Sequence, residues 1–105
     1  MRVELDMFSG RPNPEWEVSA AVEQELAQLE SGLRASQHAM PLPAFGYRGF
    51  VYREGRDARR AFDGTLTRAE QSFEDPERHI ERLLAATMPD ALNGLRAYLP
   101  DELRE

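Results

Sequence analysis

The sequence predicts an α+β fold: a single two-layer domain over residues 1–105, with a mostly antiparallel sheet of about four or five strands and, packed on one face, two long helices and a short C-terminal helix. Three observations lead there. Polar and apolar residues alternate at the N-terminus, helical apolar stripes run through residues 19–35 and 75–88, and between them lies a stretch rich in turn signals and β-formers. A chain of 105 residues fits one domain and can bury a core without disulfides or metal.

Val3, Leu5 and Met7 alternate with Arg2, Glu4 and Asp6, the period of a half-buried strand. Ser9-Gly10-Arg11-Pro12-Asn13-Pro14 then breaks the strand with two prolines and a glycine. Glu15 and Glu17 alternate with Trp16 and Val18, a short strand returning beside the first. The parity puts Trp16 in the core. Ser19 is placed to cap a helix over about 19–35, whose stripe is Val22, Leu26, Leu29 and Leu33.

Pro41, Pro43 and Gly46 mark residues 36–48 as a connection. Three strands follow at 49–53, 58–62 and 65–69, joined by a turn at 54–57 and a hairpin at Asp63-Gly64. Asp75-Pro76 reads as an acidic N-cap with proline at the first helical position. Ile80, Leu83, Leu84, Thr87 and Met88 give that helix its buried stripe, and Pro89 ends it. Leu92, Leu95, Tyr98 and Leu99 give the short C-terminal helix.

Composition narrows the function classes. There is no cysteine, so no thiolate nucleophile and no zinc–thiolate site. The net charge of −6 weighs against nucleic acid as a partner, because that binding depends on cations at phosphates. No apolar run approaches the roughly 20 residues that span a bilayer, so no membrane partner is expected. MRVELDMF has no apolar signal-peptide centre, and the expected compartment is the cytoplasm. The thirteen basic residues are all arginines. Six of them fall in residues 41–70 against four acids, whereas residues 1–40 carry seven acids to three arginines. A basic middle framed by acidic ends favours internal pairing or a polarised binding surface.

The search for chemistry yields no catalytic residue, no metal site and no cofactor. His38 and His79 have no partner at metal-ligand spacing, and no phosphate-binding glycine loop or nucleophile elbow is present. What stands out is carboxylates. If Val3 and Leu5 face the core, Glu4 and Asp6 face outward, and so do Glu15 and Glu17 opposite Trp16 and Val18. Four carboxylates then share one sheet face, either as a solvated surface neutralised by Arg53 or Arg60 or as a platform for a cationic ligand or peptide. The second feature is the Pro-rich loop. Each proline restrains itself and the residue before it, so Arg11 and Asn13 are presented at little ordering cost. Arg11 offers a fork for a carboxylate and Asn13 a donor and an acceptor; equally, Arg11 can pair with an internal acid.

Phe8-Ser9-Gly10-Arg11-Pro12-Asn13-Pro14 with Trp16 close behind resembles the opening of a group of small bacterial proteins, some of which accompany gene clusters for ribosomally synthesised, modified peptides of the crocagin type. The resemblance is sharpest over residues 3–18 and extends more loosely to Tyr47-Arg48-Gly49-Phe50 and Phe73-Glu74-Asp75-Pro76-Glu77-Arg78. It implies a small α+β domain with an accessory place in such a pathway and transfers no catalytic residue. The expected function is therefore non-enzymatic binding as a self-resistance (immunity-like) factor. Its partner would be a peptide, a peptide-derived small molecule or a protein of the same pathway. The alternatives are a maturation accessory that holds the precursor peptide or a tailoring enzyme, and a cofactor-free isomerase, cyclase or hydrolase using Asp6, Glu15 or His79.

Overall fold

The computed structural model describes residues 1–7, 12–38 and 41–104. Among them the chain forms β1 (Arg2–Leu5), β2 (Glu15–Glu17), α1 (Ala20–Ser31), β3 (Arg34–Ser36), β4 (Phe50–Glu54), β5 (Asp57–Phe62), β6 (Thr65–Arg68), β7 (Gln71–Glu74) and α2 (His79–Ala86), followed by two 3₁₀ segments, Asp90–Tyr98 and Asp101–Leu103. All seven strands belong to one sheet in the order β2-β1-β4-β5-β6-β7-β3, and every neighbouring pair is antiparallel.

This corrects the expected architecture. The sheet has seven strands among the described residues rather than four or five, and the two long helices shrink to 12 and 8 residues. Ser19 does cap α1, its Oγ accepting from Val22 N at 3.3 Å. The helix ends early, however: Gly32 N closes the last turn on Leu29 O at 3.2 Å, and the chain leaves as β3, which pairs with β7. The second helix starts late. Asp75 to Arg78 close a turn, with Arg78 N donating to Asp75 O at 2.8 Å, so Pro76 lies in that turn and not at the first helical position. The Asp75 carboxylate still caps the helix from a distance, accepting from His79 N at 3.2 Å and Ile80 N at 2.9 Å. The expected C-terminal helix is 3₁₀, which leaves Tyr98 68% exposed while Leu99 is buried.

The register sets Val3 opposite both Trp16 and Tyr52, Leu5 opposite Phe50, and Ala61 opposite Phe50 and Leu66. Directly opposed residues share a face, so these side chains form the inner face of the sheet. Against it pack Leu26 of α1, Ile80, Leu84 and Ala85 of α2, and Met88, Leu99 and Leu103 beyond them. Trp16 and Tyr47 both meet Phe50 edge-on, with ring centroids 6.2 and 5.9 Å apart. No helix of the described residues is long and apolar enough to cross a membrane.

Gly49, just before β4, has φ +99°, and a Cβ built there would lie 2.4 Å from Ala61 O. Its carbonyl accepts from Asp6 N at 3.0 Å, so the backbone has little room to give. Gly49→Ala therefore combines a positive φ with a clash against backbone. We expect a loss of about 2–3 kcal/mol in urea unfolding.

Candidate functional site

The outer face of the sheet, turned away from the helices, is the candidate surface. Its acidic end is assembled by β1 and β2. Glu4 lies directly opposite Glu15, and Arg2 opposite Glu17, with Asp6 just beyond β1. Three residues of β2 suffice to gather the carboxylates because the strand period is two.

Each of the four has a partner within the chain. Asp6, 8% exposed, accepts from Arg60 Nη1 at 2.7 Å, and Arg48 Nε approaches the same oxygen at 3.8 Å. Glu4 accepts from Asn13 Nδ2 at 2.8 Å. Glu15 and Glu17 lie 3.9 and 3.7 Å from Arg2 Nε, and Glu17 is also 3.2 Å from the Met1 ammonium. Pairs as exposed as those to Arg2 are worth little, so Glu15 and Glu17 stay accessible, whereas Asp6 is held.

Asn13 is positioned by the Pro12–Pro14 segment to close the loop at its base. Its Oδ1 accepts from Met7 N at 3.0 Å while Nδ2 serves Glu4, and Leu5 N donates to Pro14 O at 3.0 Å beside it. Arg11 and Phe8 lie outside the described residues.

Arg60 joins this acidic end to the rest of the face. Its Nη1 also donates to Arg48 O at 2.8 Å. Across the strands, Arg60 faces Thr67, Thr67 faces Ser72, and Ser72 faces Ser36. One position along, Phe62 faces Thr65. Leu42, from the connection between β3 and β4, lies against these residues and completes a groove of about 290 Å³, with Glu70 also on its lining. Sequence reasoning missed this groove. The available signal was parity, since Arg60 and Phe62 alternate with the inward-facing Arg59 and Ala61, and Thr65 and Thr67 with Leu66.

The inner side of the domain carries two further charged networks, both saturated by internal partners. Glu81, 1% exposed, accepts from Arg78 Nε at 2.8 Å and Nη2 at 2.9 Å, Tyr47 Oη at 2.5 Å, and the Asp63 and Gly64 amides at 2.9 Å each. Burial pushes its carboxyl upward, but the hydrogen bonds from Arg78, Tyr47 and Gly64 outweigh that and hold it below the usual carboxylate range. Burial first, and then the Glu81 charge, raises the Tyr47 hydroxyl above its ordinary value. Glu30 of α1 accepts from Arg59 Nε at 2.7 Å and Tyr52 Oη at 3.0 Å, tying the helix to the sheet.

The residues considered for acid–base work are not brought together. Asp6 and Glu15 lie on the outer face, while His79 opens α2 in the helical layer with its Nε2 3.0 Å from Glu77. Among the described residues no group of three or more His, Cys, Asp or Glu side chains is placed to hold a metal ion. Compared with protein-family models, curated proteins and solved structures, the chain matches none.

Proposed function

We propose that this protein is a non-enzymatic binding domain, an accessory or self-resistance factor in the cytoplasm for a ribosomally synthesised peptide natural product, and that it takes its ligand on the outer face of the sheet. One observation carries the reading: the described helices pack on the opposite face of the sheet, and this face combines a partly apolar groove, hydroxyls and a fixed arginine. The carboxylates of half-buried Glu30 and buried Glu81, by contrast, are consumed by internal hydrogen bonds. The F-S-G-R-P-N-P resemblance supplies the pathway. The half-exposed Glu15 and Glu17 offer negative charge to a cationic part of the ligand, with Glu4 and Asp6 beside them, and on the same stretch of chain Asn13 brings a donor and an acceptor and Arg11 a fork for a carboxylate.

A second reading, a grip on the precursor peptide or a tailoring enzyme, is favoured by Phe45, which is 79% exposed in the same connection as Leu42. Calorimetric titration with the finished product, the precursor and the cluster enzymes separates the two. The expected result is one-to-one binding of the finished product. Phe62→Ala should weaken it about tenfold, the loss of roughly one buried side chain, and Arg11→Ala should weaken it with the melting temperature nearly unchanged. Binding of the precursor alone moves the role to maturation, and turnover of the product refutes the non-enzymatic reading.

A further inference from the structure

The guanidinium of Arg60 is only half committed. Nη1 is occupied by Asp6 Oδ2 and Arg48 O at 2.7 and 2.8 Å, but no described residue hydrogen-bonds to Nε or Nη2, and the side chain is 28% exposed. Nε and Nη2 form the lateral fork that takes a carboxylate through two parallel hydrogen bonds. Arg60 lines the groove together with the apolar pair Leu42 and Phe62 and the hydroxyl residues Thr65, Thr67 and Ser72.

We propose that this groove recognises a free carboxylate next to an apolar side chain, the chemistry of the C-terminal residue of a short peptide. The inference rests on reading the outer face as the ligand surface and adds which part of the ligand is read. The carboxylate sits on the open fork of Arg60, the apolar side chain lies between Leu42 and Phe62, and the hydroxyls meet the backbone amide.

Three observations support this assignment. First, Arg60 is preorganised: Asp6 and the Arg48 carbonyl hold one nitrogen in place, so little side-chain freedom remains to be lost when a ligand binds the others. Second, charge is not cancelled at this point. Two guanidiniums, of Arg48 and Arg60, converge on the single Asp6 carboxylate, so Asp6 does not neutralise both, and Arg60 is the one cation on the described lining of the groove. Third, the volume of about 290 Å³ lies at the small end of ligand sites, which begin near 300 Å³. That suits one or two residues better than an extended segment. Glu70, on the groove lining at the turn between β6 and β7, disfavours a second acid and thus a ligand with an acidic side chain.

The same chemistry exists in a free amino acid, whose ammonium could reach Glu70, so the test must part the two sources. The ¹⁵N-labelled full chain is titrated with N-acetyl-L-phenylalanine, with its carboxamide and with free L-phenylalanine. The acetylated acid is expected to shift the amides of Phe62, Thr65, Thr67 and Ser72 saturably. The carboxamide should bind at least about tenfold more weakly, and the free amino acid more weakly than the acetylated one. Arg60→Gln should abolish the preference for acid over amide, and Arg60→Lys, which keeps the charge but loses the fork, should restore only part of it. Equal binding of acid and amide to wild type would overturn carboxylate recognition while leaving the outer face as the ligand surface. Shifts confined to the helical layer would overturn both. Tighter binding of free phenylalanine would replace the peptide terminus with a free amino acid.

Discussion

Glu81→Ala is expected to cost about 3–5 kcal/mol of stability, the range for removing one partner of a buried ion pair. The substitution leaves Arg78 as a nearly buried cation, its side chain 10% exposed, with Asp63 and Glu102 at 3.8 and 3.9 Å as the remaining acids among the described residues to answer it. It also strips acceptors from the Tyr47 hydroxyl and from two amides of the hairpin turn. At 4–8 °C per kcal/mol for a domain of this size, the melting temperature should fall by about 12 °C or more. The carboxyl has a depressed pKa in the folded state, so its contribution is fully present above the unfolded value near about 4.3. It is lost as pH falls through the lower folded value. Urea unfolding of wild type and Glu81→Ala at descending pH should therefore converge under acid conditions. A variant as stable as wild type at neutral pH would show that the network contributes nothing net.

Trp16→Ala should be comparably severe, about 3–5 kcal/mol for a large aromatic removed from a core. Trp16 is 6% exposed, meets Phe50 edge-on, and donates from Nε1 to Thr87 Oγ1 at 2.8 Å. It thereby fastens a three-residue strand to the end of α2. Trp16→Phe should recover most of the loss, because Thr87 keeps its own bond to Leu84 O at 2.6 Å and only about 1 kcal/mol of hydrogen bonding is removed. As the single tryptophan, it also reports its own surroundings. Wild-type emission should be blue-shifted and move to the red on unfolding, and an emission maximum already at the solvent-exposed value would contradict the burial.

How much of this was legible in the sequence depended on how far apart the interacting residues lie. β1 and β2 were readable because alternation is local, and Trp16 followed from parity alone. The hairpin at Asp63-Gly64 was readable because both residues tolerate the positive φ they adopt, 49° and 79°. The next hairpin was not. Its turn residues Ala69 and Glu70 also take positive φ, 48° and 68°, yet neither residue type advertises it, and so β7 was missed. With β7 unseen, β3 had no visible partner, and its residues were divided between the preceding helix (Arg34 and Ala35) and the connection (Ser36). At the site, alternation located the outward carboxylates, but their partners come from far along the chain: Arg60 lies 54 positions from Asp6. Glu81 shows the same limit. Its i,i+3 spacing to Arg78 is visible in sequence, while Tyr47 comes from 34 residues away.

The placement of α1 has a consequence for how the domain protects itself. β2 and β3, the two outermost strands, are the segments on either side of this helix in the chain. Seven strands at about 4.8 Å separate the edges by roughly 29 Å. A helix of 12 residues supplies about 18 Å, and the few linking residues supply most of the rest, so the helix works as a strap with little slack. An edge strand that peels away must pull against α1, which is seated on the core by Leu26. Each edge is also only three residues long, a short template for pairing with another chain. The meander β4 to β7 is built from local hairpins, whereas the two edges, far apart in the sheet, are joined in the chain through one helix. The strap thus guards against self-association into fibrils and strand exchange between copies at both sides of the sheet at once.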